Sequence, residues 1–219
     1  AAAYLDDRSR ARETARLLVT DCISKFAARA RACSMTEAGC NLNVHILAHS
    51  MGTFVVREAF AQTSDFTSIN NSPWLVNQAA FISGDISSDT MSESDRDAKA
   101  IAKRCMRLTN YYNPYDAVLS VSNAKRLGTQ PRVGRVGLPD DHDRRFVDLR
   151  CGQHFDKKYG SLDVGNSHSF WFDDATFYRD FAYTLAGEID RNYIPTRKIA
   201  GDGVLELQSI TGTGRAKGG

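Results

Sequence analysis

Val44-His45-Ile46-Leu47-Ala48-His49-Ser50-Met51-Gly52-Thr53-Phe54-Val55-Val56 decides the fold. Residues 44–48 form a short apolar run after the polar break at 34–43, which reads as a buried strand. From Met51 the period changes. Phe54, Val55, Ala59 and Phe60 recur at helical spacing as far as Gln62. Between strand and helix lies Ala48-x-Ser50-x-Gly52, a small-x-Ser-x-Gly pattern where the chain must turn sharply. Such a turn holds the serine in strained backbone, and bulky side chains two residues away on either side would collide. It would also lift the Ser50 hydroxyl to a helix N-terminus and point the Met51 N–H outward, ready for an oxyanion. A serine here can also simply N-cap the helix. The handover from strand to helix favours the nucleophile.

On either side the chain alternates between the two periods. A helix is expected over 5–32, where Leu5, Ala11, Ala15, Leu18, Cys22 and Phe26 keep helical spacing. Strands are expected at 77–83, 105–112 and 145–149, and helices at 93–104, 116–125 and 172–191. The stretches 63–73, 128–143 and 151–167 read as loops. Strands separated by helices imply an α/β fold, a mostly parallel sheet with helices on both faces. One domain is expected over 1–195, with 196–219 a flexible C-terminal tail, Gly-rich from Gly201.

Composition narrows the function. The 219 residues are 42% hydrophobic and 25% charged, which excludes a disordered chain. The net charge of +2 gives no support to a nucleic-acid partner. There is no apolar run long enough to span a membrane. Five cysteines without a CxxC read as reduced buried thiols, with room for one disulfide. No HExxH, Walker or GxGxxG pattern occurs, so no metal and no cofactor is expected. The compartment is left open, with a cytoplasmic one favoured.

A serine nucleophile needs a base, and the base an orienting carboxylate, in the order Ser, acid, His on this kind of sheet. Asp116 follows the third strand, where sites in open parallel sheets form, and is preferred to Asp85, which follows the second. At Asp116 the acid role competes with N-capping the helix that starts at Ala117. Among the histidines, His45 lies inside a strand, His49 diverges from Ser50, and His142 sits in a charged surface stretch. His168, just before an aromatic run, is the expected base and His154 the fallback. Phe170, Trp171, Phe172, Phe177, Tyr178 and Phe181 either wall a pocket or pack the last helix, and Tyr111, Tyr112 and Tyr115 lie near the acid.

Leu47-Ala48-His49-Ser50-Met51-Gly52, then Asp116-Ala117-Val118-Leu119, Pro131-Arg132-Val133-Gly134 and His168-Ser169-Phe170 together resemble the alpha/beta-hydrolase family grouped as DUF900. The resemblance runs over about 5–185 and rests on the ordered set of four. It implies a serine-hydrolase fold and a Ser50–Asp116–His168 triad, with no defined substrate. The family has an earlier strand and a His-Gly loop ahead of the elbow, and neither precedes Ser50 here. This chain is therefore expected to be the C-terminal part of the fold. Strand 44–48 would then be an exposed edge, covered by an upstream segment or a partner chain and unstable as a lone monomer without one. Lacking one oxyanion donor costs about 3–4 kcal/mol, roughly a hundredfold to a thousandfold in rate. The expected activity is cleavage of a small carboxylic ester through an acyl-enzyme. The alternatives are an acyltransferase, thioesterase or peptidase on the same triad, and a non-catalytic hydrolase-like binding or assembly module.

Overall fold

The computed structural model describes residues 2–35, 42–125 and 130–210. Six strands, β1 (His45–His49), β2 (Val76–Ile82), β3 (Cys105–Tyr112), β4 (Phe146–Arg150), β5 (Arg197–Ile199) and β6 (Leu205–Leu207), form one sheet. Their order is β1-β2-β3-β4-β6-β5, parallel throughout except for the antiparallel β5–β6 pair. Register places Ala48 beside Phe81, and Phe81 beside Asn110. The expected α/β architecture is the one observed, with each central strand within a residue or so of its expected position.

Side chains alternate across the strands, so each face of the sheet builds its own core. Ala79, Phe81, Leu108 and Phe146 face α1 (Ala2–Leu17), α2 (Ser24–Ser34), α3 (Gly52–Ala61) and α5 (Arg96–Arg104). Ala80, Ile82, Tyr111 and Leu149 face α8 (Gly152–Tyr159) and α9 (Ala175–Ala186). Strand β1 stands at one edge, where Leu47 is 43% exposed.

Several expectations need correction. The opening helix is interrupted by a π-helical turn, Leu18–Ile23, where the Ser24 hydroxyl and N–H both reach back five residues to the Val19 carbonyl. The segment 63–73 is not irregular. It holds a 3-10 turn, Gln62–Asp65, and α4 (Thr67–Asn71), with fully buried Trp74 donating to the Ile69 carbonyl. The loop at 128–143 contains α7 (Val133–Val136). That at 151–167 begins with α8, because Phe155 and Tyr159, four apart, stack on one helical face.

The last helix is shorter than 172–191. The Asp174 carboxylate caps α9 by accepting from the Phe177 N–H, and Gly187, at φ 67°, ends it in the left-handed region. The tail is the largest departure. Residues 197–207 form the β5–β6 hairpin, with Arg197, Leu205 and Leu207 buried, so neither a boundary at 195 nor a flexible tail describes them. The rest of that expectation, 211–219, lies outside the described residues, as does Cys40. Cys22, Cys105 and Cys151 form no disulfide, and burial pushes the Cys105 thiol up to about 12.

Candidate active site

The site is built where the strands end at their C-terminal side. Ser50 follows β1 with φ 54°, a left-handed backbone that a serine rarely adopts. The turn is held from several directions. The Ser50 N–H donates to the Ile82 carbonyl at 3.0 Å. The Ser50 carbonyl accepts from the N–H groups of Thr53 and Asp85, both at 3.1 Å, and from the Thr53 hydroxyl at 2.6 Å. Such over-determination is what lets a strained residue persist, at a cost of order 1–3 kcal/mol. Met51 is the residue before α3. Its N–H is among the first of the helix, which have no acceptor within it. A Cβ on Gly52 would lie 4.0 Å from the Ala48 Cβ. The two small residues thus share one space across the turn.

The second loop of the site follows β2. Ser83 also has positive φ, 46°, and its hydroxyl accepts from the Trp171 indole N–H at 3.0 Å. Gly134 packs on this turn so closely that a Cβ there would come within 2.0 Å of Gly84 N and 2.2 Å of the Ser83 carbonyl carbon. The Gly134 and Val133 N–H groups donate to the Gly84 and Ile86 carbonyls, and Gly134 accepts from the Asn113 N–H. Arg132 pairs with Asp85 at 3.4 Å, both buried. The Pro131–Gly134 motif is therefore a clamp joining the turn after β2 to the turn after β3. It also occupies Asp85: the fallback acid touches the elbow through its N–H while its carboxylate faces Arg132.

Asp116 is fully buried between β3 and α6 (Ala117–Lys125). Its Oδ1 accepts from the Leu119 N–H at 2.9 Å, so it does cap this helix. Its Oδ2 lies 2.8 Å from His168 Nδ1. Capping and histidine binding, alternatives in the sequence, are carried by different oxygens of one carboxylate. The Asn113 side-chain amide donates to the Ser167 carbonyl at 2.8 Å, and the Ala117 N–H donates to the Ser167 hydroxyl at 3.1 Å. These two contacts tie the acid's loop to the histidine's segment. Neither Asn113 nor Ser167 was singled out in the sequence, although each lies within three residues of an expected site residue.

The other histidines are placed elsewhere. His154, on α8, has Nε2 2.8 Å from Asp174 Oδ2, an oxygen also bound by Lys158. Burial raises the Asp174 carboxyl, but the bonds from His154, Lys158 and Phe177 outweigh it and hold it well below the usual range. The structure thus pairs His154 with a helix-capping aspartate and brings His168, not His154, to Asp116. His142 Nδ1 lies 2.7 Å from the Pro139 carbonyl of its own turn. His45 is half-buried, and burial pulls its pKa down. Of the aromatic run, Phe170, Trp171 and Phe177 are core, while Phe172 is 44% exposed and edge-on to His49 at 5.1 Å. Among the described residues, no group of three or more His, Cys, Asp or Glu side chains could hold a metal ion. No described helix is long and apolar enough to cross a membrane.

A parallel sheet flanked by helices, with a serine elbow after one strand, defines an alpha/beta hydrolase. The chain belongs to the family described as alpha/beta hydrolase of unknown function (DUF900), whose model matches residues 24–145. That span holds Ser50 and Asp116 and ends before His168. No curated protein and no solved structure matches the chain.

Proposed function

We propose that the chain is a serine hydrolase that cleaves carboxylic esters with Ser50, His168 and Asp116. The observation that carries this reading is the 2.8 Å contact between a wholly buried Asp116 and His168 Nδ1, in a fold that also holds Ser50 at positive φ. With its proton on Nδ1, His168 donates to Asp116 and leaves Nε2 as the acceptor for the Ser50 hydroxyl proton.

The chemistry follows in two halves. Ser50 Oγ attacks the acyl carbon as Nε2 takes its proton. The carbonyl oxygen becomes an oxyanion facing the Met51 N–H. Collapse breaks the bond to the alcohol, which leaves with the proton from Nε2. Water then repeats the sequence on the acyl-enzyme, returning the hydroxyl proton to Ser50 and releasing the acid. Asp116 stabilises the imidazolium in both halves without taking the proton. Activated esters are expected to react ahead of amides, which are harder acyl donors.

Intact-mass measurement after treatment with a fluorophosphonate probe tests the reading. The parent should gain one adduct, and Ser50→Ala and His168→Ala should gain none. An unlabelled but folded parent would sink it.

A further inference from the structure

His49 precedes Ser50 in the chain, and its ring reaches across to His168. Its Nε2 lies 2.9 Å from the His168 carbonyl oxygen, and the two ring centroids are 4.7 Å apart. A carbonyl oxygen only accepts, so Nε2 carries the proton and Nδ1 is left without one in the neutral ring. The same carbonyl also accepts from the Trp171 indole N–H at 3.2 Å. Phe172 closes the other flank of the His49 ring. The residue beside the nucleophile thus grips the main chain of the base across 119 positions of sequence.

We infer that His49 is a positioning residue: its Nε2–H holds the His168 backbone at the distance from the elbow that proton transfer from Ser50 requires. The inference rests on the reading of Ser50 and His168 given above. Asp116 fixes the tilt and tautomer of the His168 ring, but not where the backbone carrying it stands relative to β1. The His49 bond spans that gap directly, and a displacement of about 1 Å in such an arrangement costs on the order of a hundredfold in rate.

The charge of His49 matters as well. It faces the His168 ring and, beyond it, the Asp116 carboxylate; Trp171 and Phe172 bring no charge. Burial pulls its pKa down, opposed by the bond to the His168 carbonyl. At neutral pH the ring adds no positive charge beside an imidazole that must itself become positive. Below the usual histidine range it takes a proton and opposes that step.

The test compares fluorophosphonate labelling rates of the parent chain, His49→Gln and His49→Phe across pH, with melting curves for each. Gln keeps a side-chain N–H; Phe keeps a ring and loses the donor. Labelling should slow about tenfold to a hundredfold in His49→Phe and stay near the parent rate in His49→Gln. The parent's acid limb should steepen at low pH as His49 takes up its proton, while that of His49→Gln keeps the slope of one proton. A merely structural role would not change that slope. Equal rates in His49→Phe and parent, or equal losses in both variants, would overturn the inference and leave the triad standing. If the parent takes no adduct, the triad reading fails and the inference with it. Should His49→Phe not fold, long-range 1H–15N spectra of histidine-labelled parent decide: the Nε2–H tautomer is expected, and Nδ1–H overturns the inference.

Discussion

At the scale of single residues, distance separates glycines that must be glycine from those that need not be. A methyl on Gly134 would meet backbone atoms of Ser83 and Gly84 at 2.0–2.2 Å, and backbone cannot swing aside. Gly134→Ala should cost about 3 kcal/mol or more by overpacking, read from urea denaturation. Gly52→Ala, whose new methyl meets only the Ala48 Cβ at 4.0 Å, should change stability by less than about 1 kcal/mol. Equal losses in the two variants would contradict this account of the clamp. Of the candidate site residues, Ser50 and Asp116 stand close after β1 and β3, where local spacing points to them, while His168 lies beyond α8 and is marked only by the aromatic run that follows it. The bond of His49 to His168 was not legible. Neighbouring side chains on a strand diverge, and the partner lies 119 residues away.

At the scale of elements, legibility followed length. Strands β1 to β4 and helices α3 and α5 are long enough for their period to show. Helix α8 begins after Cys151 without a side-chain cap, and β5 and β6 have three residues each, too few for a period to register. Besides the buried Leu205 and Leu207, a buried ion pair holds that hairpin. Arg197 reaches both oxygens of Asp180 at 2.7 and 2.9 Å, and Asp180 also accepts from the hydroxyls of Tyr111 and Thr196. All four residues have almost no exposure. Arg197→Met strands a buried carboxylate and should destabilise the fold by about 3–5 kcal/mol. A double variant, Arg197→Met with Asp180→Leu, should regain much of that loss. Chemical denaturation of the single and double variants measures both, and a negligible loss in the single variant would show that the hairpin is held otherwise.

At the scale of the whole molecule, the sheet lies between two cores, and its buried titratable groups pull stability in opposite directions as pH changes. Burial raises the Asp148 carboxyl to about 6, against bonds from the Asn110 amide and the Leu138 N–H. In the unfolded chain it titrates near 4, so the folded state gains stability as pH falls from about 6 toward 4. His45 and His49 act the other way. Their folded pKa values are depressed by burial, so the unfolded chain takes up protons first and stability falls below about pH 6.5. Asp174, held low by its partners, adds stability that persists above about pH 4 and is lost on further acidification. The two trends oppose each other in the parent as pH falls from about 7 to about 5. Asp148→Asn removes only the gain, so its stability should fall by about 1–2 kcal/mol more than the parent's over that interval. Urea midpoints at several pH values measure the difference in slope, which is independent of any constant offset from the substitution. Parallel curves would mean that Asp148 holds the same protonation in both states and that burial does not govern it. Divergence of the predicted sign would place a proton-binding group inside the sheet between β3 and β4, where Asp148 pairs with Asn110 and accepts from the Leu138 N–H.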